Sequence, residues 1–377
     1  MKIRLEVSSV ASKYRSGVSH YTRLLAEALS VTKGVSTYIH YFDFLDRQPD
    51  PELINAPSKT ESNKLIPLKV YAKAQSFNFA PPFDPHLSKV DLTIFPNFAT
   101  WPSVKSGLVA TAIHDLTYLY FPEVVEEKNL AHLRRVVPRS IKKADFIITV
   151  SESVKSELVK EFNLDPEKCV VTPIPPDETF FHIHSQEEKK TVKQKYGIDP
   201  TKKYIYFIGN LEPRKNLKTL VEAYQLLPKE VKDKYSLILA GGKGWKTEST
   251  QQAIDKAINQ GDDITHIGFV DQEDSPALFQ GASLFVMPSL YEGFGMPVLE
   301  AMAGGTPVVA SDIPVLKEVG ATYATYANPD SPESFTEAIA SALSSPKPSL
   351  ETLQKNVRRY SWEDNVQKII QKTKELS

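Results

Sequence analysis

Two glutamates flank a glycine-containing loop in the second half of the chain. Glu292 and Glu300 lie eight positions apart in the segment 287–300, between the apolar runs 282–286 and 306–310. This order predicts a strand, a glycine loop, a short helix and a second strand. The free amides of a helix start suit a phosphate, whereas carboxylates suit sugar hydroxyls, which donate hydrogen bonds. The segment therefore predicts a nucleotide-sugar site.

Two adjacent cations follow the first strand predicted in the same half. Arg214 and Lys215 come after Lys203–Gly209, in a loop stiffened by Pro213 and closed by Asn216 as a predicted helix cap. Arginine binds phosphate through paired hydrogen bonds, and lysine acts as a point charge. By composition alone, two solvated surface charges would explain the pair. Their place after a strand favours binding of a diphosphate.

Three further strand ends carry weaker signals. The glycines of segment 241–245 fit either close approach of the backbone to a ligand or a simple turn. Backbone groups of Gly268, Phe269 and Val270 suit the edge of a nucleobase, and a turn at the strand end also explains them. Gly17 opens the first helix and fits a phosphate contact or a plain helix start.

One histidine stands at a strand end in the first half. His114 follows the predicted strand Gly107–Ile113. Ligands of open parallel sheets bind outside the carboxyl ends of the strands, so His114 would face a cleft between two such sheets. A lone histidine is often structural, and its position favours a contact with substrate.

Short β-branched runs alternate with longer helical patterns, which is typical of parallel α/β layers. The 377 residues exceed what one core usually supports, and prolines and charges replace this pattern between residues 172 and 201. We therefore expect one domain at 1–180 and another at 190–360. The predicted strands are Lys2–Ser9, Ser36–Phe42, Leu92–Phe95, Gly107–Ile113, Phe146–Val150, Cys169–Thr172, Lys203–Gly209, Ser236–Ala240, Ile264–Gly268, Ser283–Met287, Thr306–Ala310 and Tyr323–Tyr326. The predicted helices are His20–Ser30, Glu126–Lys143, Ser153–Phe162 (with Ser151 as its cap), Asn216–Leu227, Gln251–Asn259, Ser275–Gln280, Val298–Ala303 and Pro332–Leu343.

The composition excludes several classes of protein. A formal net charge of −1 gives no overall attraction to nucleic acid, and the single cysteine, Cys169, excludes a disulfide framework. No apolar run approaches the roughly 18 residues of a membrane span, and the start of the chain alternates charged and apolar residues like a strand. We therefore expect a cytoplasmic protein, or one bound peripherally to the inner face of the cell membrane.

A metal-binding motif is missing from the sequence. No Asp-X-Asp triplet occurs, and neither Asp262-Asp263 nor the pair Asp271 and Asp274 has its spacing. Metal-dependent sugar transferases commonly hold a divalent ion through such a triplet. We therefore expect no metal and no cofactor, with the diphosphate charge met by cationic side chains and a helix N-terminus.

These residues resemble the GT-B retaining glycosyltransferases of family 4, and within them the bacterial mannosyltransferases that build O-antigen and other surface polysaccharides. The resemblance spans nearly the whole chain, and its most specific motif runs from Glu292 to Glu300 around Gly-Phe-Gly. It implies two tandem Rossmann-like, doubly wound parallel-sheet domains facing a cleft, with a last helix, 362–377, packed back on the first domain. The other matching stretches are 17–22, 114–117, 150–153, 209–216, 241–245, 268–270, 288–291 and 360–363.

The resemblance also implies roles for the motif residues. Arg214 and Lys215 would hold the donor diphosphate, Glu292 would face the transferred sugar, and Glu300 would accept hydrogen bonds from the ribose. His114 would contact the sugar from the first domain, so Glu292, His114, Arg214 and Lys215 are the expected catalytic group. The other expected donor-binding residues are Gly17, Asn210, Gly268, Phe269, Val270, Gly293, Phe294, Gly295, Met296, Pro297 and Val298. Asn210 is a departure, because many members carry an arginine there; Arg214 is the expected substitute.

The reaction that the resemblance implies is transfer of a hexose from a nucleotide-sugar to a glycan or lipid-linked glycan acceptor. It would retain the anomeric configuration and need no metal. Mannose from GDP-mannose is the favoured donor, and a UDP-sugar is the alternative. A non-catalytic binding or scaffold subunit is the alternative of another class, and the presence of all the motif residues argues against it.

Two segments of the first half suit an acceptor or a membrane. Phe77, Phe79 and Phe83 lie in a proline-rich loop that either contacts a glycan or lipid-linked acceptor or packs on its own domain. The helical segment 130–143 suits either an anionic membrane surface or a solvated face. Its cations are Arg134, Arg135, Arg139, Lys142 and Lys143.

Overall fold

The computed structural model describes residues 1–8, 10, 17–44, 58–64, 66–77, 79–242, 244 and 246–377. These residues form two units, one made of Met1–Ile174 with Tyr360–Ser377 and the other of Pro175–Arg359. The division after Ile174 falls within the segment 172–201, where the sequence pattern changes, and lies six residues before the end predicted for the first domain at residue 180. The reason is that the segment after it packs on the second unit, where the ring centroids of Phe180 and Phe279 lie 5.8 Å apart.

In the described part of the first unit, seven parallel strands form the sheet, where six were predicted. They are β1 (Lys2–Glu6), β2 (Ser36–Phe42), β3 (Lys59–Asn63), β4 (Val90–Phe95), β5 (Ser106–Ala112), β6 (Phe146–Thr149) and β7 (Cys169–Val171), in the spatial order β3-β2-β1-β4-β5-β6-β7. The unpredicted strand, β3, has the polar sequence Lys-Thr-Glu-Ser-Asn and lies at the sheet edge. A polar edge strand carries no apolar run, so the pattern of β-branched residues could not indicate it.

Among the described residues, the helices that precede the boundary are α1 (Gly17–Val31), α2 (Leu68–Ser76), α3 (Thr117–Tyr120), α4 (Glu127–Lys143) and α5 (Glu152–Phe162). The predicted cap of α5 is confirmed, because the Ser151 hydroxyl accepts a hydrogen bond of 3.1 Å from the amide of Val154. α2 and α3 were not predicted. Only Tyr71, Gln75 and Ser76 of α2 are buried, so its apolar periodicity is weak.

Six parallel strands form the sheet of the second unit, as predicted. They are β8 (Lys203–Ile208), β9 (Tyr235–Ala240), β10 (Ile264–Gly268), β11 (Leu284–Met287), β12 (Val308–Ser311) and β13 (Ala324–Ala327), in the order β10-β9-β8-β11-β12-β13. The helices are α6 (Gln186–Lys195), α7 (Leu217–Leu226), α8 (Lys229–Lys232), α9 (Glu248–Asn259), α10 (Ser275–Gly281), α11 (Met296–Ala303), α12 (Pro314–Gly320), α13 (Pro332–Ser344) and α14 (Leu350–Val357). Among the unpredicted helices, α6 buries no residue and is held by a capping box between Ser185 and Glu188.

Both sheets have the doubly wound topology. The strand order reverses between β1 and β4 in the first unit and between β8 and β11 in the second. Ligands of such sheets bind at this switch point, outside the carboxyl ends of the strands. The predicted fold class of two tandem Rossmann-like parallel-sheet domains is therefore confirmed, and the loops after β8 and β11 are where a ligand of the second unit is expected.

The last helix, α15 (Trp362–Leu376), belongs to the first unit. Its Asn365 amide donates a hydrogen bond of 2.6 Å to the carbonyl of Pro173, and the rings of Trp362 and Tyr21 lie 5.5 Å apart. This packing agrees with the expectation for the segment 362–377. Among the residues that the structure describes, none of the helices is long and apolar enough to cross a membrane.

Candidate active site

The loop after β8 is tied to the loop after β11 by hydrogen bonds. The amide of Leu290 donates to the carbonyl of Arg214 at 2.9 Å, and the Arg214 guanidinium donates to the carbonyl of Tyr291 at 2.8 Å. Because β8 and β11 are neighbours at the switch point, this places the predicted cations beside the predicted carboxylate loop. The structure thus brings together two loops that the sequence analysis assigned to one nucleotide-sugar site, and their binding of a donor stays a prediction.

Asn216 has a different role from the predicted helix cap. It stands before α7 with φ of 55°, a left-handed conformation that asparagine tolerates. Its side chain caps no backbone amide of α7 and instead donates to the carbonyls of Pro288 and Pro329, at 3.0 and 2.8 Å. In this backbone conformation the side-chain amide of Asn216 ties three loops of the second unit together, so it does not cap α7.

An ion cluster forms between these loops. The Glu292 carboxylate lies 2.7 Å from Arg214 Nη1 and 2.7 Å from Lys215 Nζ. A second carboxylate, Glu212, lies 2.6 Å from Arg214 Nη2. Both carboxylates are buried, whereas the side chains of Arg214 and Lys215 remain 18% and 12% exposed. The prediction missed Glu212, although its spacing of two residues from Arg214 was a usable signal.

The electrostatics of Glu292 follow from this cluster. Burial alone would raise its pKa, but the charges of Arg214 and Lys215 outweigh that effect and lower the pKa to about 2. Glu292 is therefore ionised at neutral pH and holds the two cations in fixed positions. Its predicted contact with the transferred sugar stays a prediction.

Close packing requires glycine where β8 and β9 end. A Cβ on Gly241 would lie 1.9 Å from the carbonyl oxygen of Gly209. A Cβ on Gly244 would lie 2.2 Å from the carbonyl oxygen of Leu211. These contacts explain two glycines of segment 241–245 by packing of one backbone on another. Lys243 and Trp245 of the same segment lie outside the described residues.

The carboxylate loop ends at Gly295, where α11 begins. Gly295 has φ of 98°, and a Cβ there would lie 2.6 Å from Leu316 Cδ2, so a larger residue would strain the backbone and displace the Leu316 side chain. Two predicted backbone contacts are not available as free amides: Pro297 has no N–H, and the amide of Val298 donates to the carbonyl of Gly295 at 3.0 Å. Neither residue can therefore donate a backbone N–H to a ligand in this structure. The donor contacts predicted for Gly293, Phe294, Gly295 and Met296 stay predictions.

Glu300 lies one turn into α11 and is half-buried. Loss of hydration, together with the negative charge of Asp177, raises the pKa of Glu300 to about 8. The carboxyl group is therefore mostly protonated at neutral pH in the free protein. A carboxyl with a shifted pKa at a switch point is a candidate for ligand binding.

The segment predicted to face a nucleobase follows β10. Gly268 has φ of 71°, and its carbonyl accepts a hydrogen bond of 2.7 Å from the amide of Gly241. Val270 is buried, whereas Phe269 is exposed. Asn210 lies after β8 and is exposed. The nucleotide contacts predicted for these residues stay predictions.

His114 lies after β5 in the first unit and is buried. Its Nε2 lies 2.7 Å from the carbonyl oxygen of Pro96, which only accepts, so this nitrogen carries the proton. The Tyr21 ring packs edge-on at 4.8 Å, and burial lowers the pKa of His114. The imidazole is thus neutral, with Nδ1 as its acceptor atom. Its predicted contact with a sugar stays a prediction, as does the role of Gly17 at the start of α1.

Three comparisons with known proteins bear on this site. A family model described as glycosyl transferases group 1 matches residues 188–360. The O-antigen chain mannosyltransferase RfbU of Salmonella typhimurium is 30% identical to this chain, over 68% of this chain and 67% of its own. The chain belongs to the glycosyl transferases group 1. The O-antigen chain mannosyltransferase B of Escherichia coli is 29% identical over 87% of both chains.

The fold of this glycosyltransferase has a solved counterpart. HepE of Anabaena, in complex with UDP and glucose, matches it with a TM-score of 0.71 at 16% identity over the full length of both chains. The fold is GT-B, and the protein is a hexosyltransferase, as predicted. Within the described ranges, no group of three or more His, Cys, Asp and Glu side chains is arranged to hold a metal ion.

Proposed function

We propose that this glycosyltransferase transfers mannose from GDP-mannose to a glycan or lipid-linked glycan, with retention of configuration and without a metal. The observation that carries the proposal is the ion cluster of Arg214, Lys215 and Glu292 at the switch point of the second sheet. Similarity to two O-antigen chain mannosyltransferases supports mannose. UDP and glucose in the HepE complex support the alternative, a UDP-sugar donor.

The two cations suit the leaving nucleotide. Lysine carries three N–H donors and arginine five, so both side chains can contact phosphate oxygens while they stay paired with Glu292. Negative charge grows on the departing diphosphate as the sugar bond breaks. Contacts that strengthen with this charge lower the barrier, and loss of one costs about 2–4 kcal/mol, or about a hundredfold or more in rate.

The two glutamates suit the two ends of the donor. Glu292 is ionised and keeps the cations oriented, and its remaining acceptor capacity suits a sugar hydroxyl. Glu300 would accept hydrogen bonds from the ribose diol, which favours its ionised form and draws its pKa down when the nucleotide binds.

The test is an activity assay with two donors in the presence of EDTA. The chain is incubated with GDP-mannose or UDP-glucose and with bacterial lipid-linked glycan precursors, and released nucleotide and product anomer are measured by NMR. We expect GDP release, an α-linked product from the α-linked donor, and no loss of rate with EDTA. Turnover of the UDP-sugar alone would establish the alternative donor, and an inverted product or a rate abolished by EDTA would overturn the mechanism.

A further inference from the structure

The helix α6 contributes no buried residue to the second unit. Its sequence from Gln186 to Lys195 contains a single aliphatic residue, Val192, and none of its side chains is buried. A surface helix normally packs an apolar stripe on the core, and most of its stability comes from that packing. Because α6 has no such stripe, polar contacts at its two ends hold it in place. The capping box forms the first of these ends.

At the other end of α6, two side chains reach the loop that follows β10. Lys195 Nζ lies 2.9 Å from a carboxylate oxygen of Asp271 and 2.5 Å from one of Asp274. The Tyr196 hydroxyl donates a hydrogen bond of 2.8 Å to Asp274 and accepts one of 2.9 Å from the backbone amide of Asp271. Four polar contacts therefore join this end of the helix to one short turn. We call Lys195 and Tyr196 the α6 anchor.

The position of Asp274 indicates that the turn favours these contacts over an ordinary helix cap. Asp274 stands at the N-cap of α10, where an aspartate commonly accepts hydrogen bonds from the first amides of the helix. Its carboxylate caps no amide of α10, is buried, and instead contacts both residues of the α6 anchor. The contact with α6 therefore takes the place of the cap.

The anchored turn directly continues the segment predicted to face a nucleobase. Gly268, Phe269 and Val270 immediately precede Asp271. At its start the segment is held by the hydrogen bond of 2.7 Å from the Gly241 amide to the Gly268 carbonyl. At its end it is held by the bond from the Asp271 amide to the α6 anchor. The segment is thus fixed on both sides, while the side chain of Phe269 between them is 69% exposed.

We propose that Lys195 and Tyr196 are positioning residues for donor binding, which hold the loop after β10 in the conformation that receives the nucleobase. This rests on the proposed function, in which backbone groups of segment 268–270 contact the base. When only a fraction of the molecules has the binding conformation, the apparent Kd rises by the reciprocal of that fraction. An anchor that only stabilised α6 would change the free energy of unfolding and leave the affinity of the folded chain unchanged.

The first measurement follows the loop without any ligand. Tyr196→Phe removes the hydroxyl that holds the Asp271 amide and keeps the ring. Amide hydrogen exchange across residues 268–274 should become about tenfold faster, because lost hydrogen bonds lower the cost of local opening. The matched control is Tyr224→Phe, which removes a hydrogen bond of 2.8 Å to the carbonyl of Tyr235 at the amino end of β9. It should leave exchange in this loop unchanged.

The second measurement is isothermal titration with GDP and with UDP. The Kd of the nucleotide that the wild type binds should rise about tenfold in Tyr196→Phe and about threefold in Lys195→Met, whose ion pairs are partly exposed. Lys195→Arg keeps a cation at this position and should bind nearly as the wild type does. Lys193→Met is the control on the same helix, because Lys193 contacts the carbonyl of Lys202 at 3.2 Å and not the loop.

Each possible result decides the proposal. Unchanged exchange in Tyr196→Phe would overturn the anchor, and faster exchange with an unchanged Kd would overturn its role in nucleotide binding. An equal rise of the Kd in Tyr224→Phe or Lys193→Met would also overturn that role. Absence of wild-type binding to both nucleotides would overturn the proposed function and this role with it, while the exchange rates would still show whether the anchor holds the loop. Circular dichroism of each variant confirms that it is folded.

Discussion

Each unit encloses an arginine among carboxylates, and the two clusters differ in where they lie on the sheets. In the first unit, Arg4 of β1 is completely buried and lies 3.1 Å from Glu61 and 3.4 Å from Asp84. In the second unit, Arg214 and Lys215 lie beyond the strand ends and keep part of their surface in solvent. A sealed cluster can only stabilise its own fold, whereas a cluster at the strand ends can also exchange contacts with a ligand.

The hydrogen bonds around each cluster support this distinction. Asp84 also accepts hydrogen bonds from the amides of Val104 and Lys105, at 2.8 and 3.1 Å. The acceptor oxygens of its carboxylate are therefore occupied by groups of the protein itself. In the second unit, two cations face the two carboxylates Glu212 and Glu292. Added phosphate charge is therefore better tolerated beside Arg214 than beside Arg4.

The largest expected effect is loss of stability in Arg4→Met. This change leaves Glu61 and Asp84 without their cation, and removal of one partner from a buried ion pair costs about 3–5 kcal/mol. Urea unfolding should show this loss, while the folded fraction still binds GDP with the wild-type Kd. A loss below about 1 kcal/mol would show that the cluster of Arg4, Glu61 and Asp84 contributes little to the stability of the fold.

Lys215→Ala should show the opposite behaviour. Loss of one contact to the leaving diphosphate should lower kcat by about a hundredfold or more, while the free energy of unfolding falls by only about 1 kcal/mol, since Glu292 keeps Arg214. Steady-state kinetics and urea unfolding measure the two effects. Lys218→Ala, on the exposed side of α7, is the control and should change neither. Equal losses of stability in Lys215→Ala and Arg4→Met would contradict the claim that only the Arg4 cluster serves mainly to stabilise the fold.

The sequence predicted the strand-end residues better than it predicted their partners. The second sheet, its switch-point loops and the cationic pair follow from apolar runs, glycines and adjacent charges, which are local signals. The pairing of Arg214 with Glu292, 78 positions away, depends on how β8 and β11 align, which no local pattern contains. The polar strand β3 and the contacts of Arg4 with Glu61 and Asp84 depend on tertiary packing in the same way.

Glu292→Gln should remove a pH dependence of stability. The folded pKa of about 2 lies below the ordinary value of 4.5, so the ionised group stabilises the fold above pH 4.5 and this contribution is lost as the pH falls towards 2. Between about pH 5 and about pH 3 the wild-type chain should lose about 2 kcal/mol more than the variant. Urea unfolding at both pH values tests this, and parallel losses would contradict the assigned ion pairs.

The smallest effect concerns Glu300. Its pKa of about 8 in the free protein means that its ionised fraction, and with it acceptance of ribose hydroxyls, rises as the pH passes through 8. The Kd of GDP should fall by up to about tenfold between about pH 7 and about pH 9. The same titration with Glu300→Gln should be nearly flat. An equal pH dependence in both proteins would assign the effect to another group.

The central claim is that the strand-end cluster of the second unit binds a nucleotide-sugar without a metal. Isothermal titration of GDP-mannose in the presence of EDTA, with the wild-type chain, Lys215→Ala and Lys218→Ala, tests it most directly. We expect binding by the wild type and by Lys218→Ala, and at least tenfold weaker binding by Lys215→Ala. Absence of wild-type binding in EDTA that returns with added Mg²⁺, or equal affinity in Lys215→Ala, would contradict the claim.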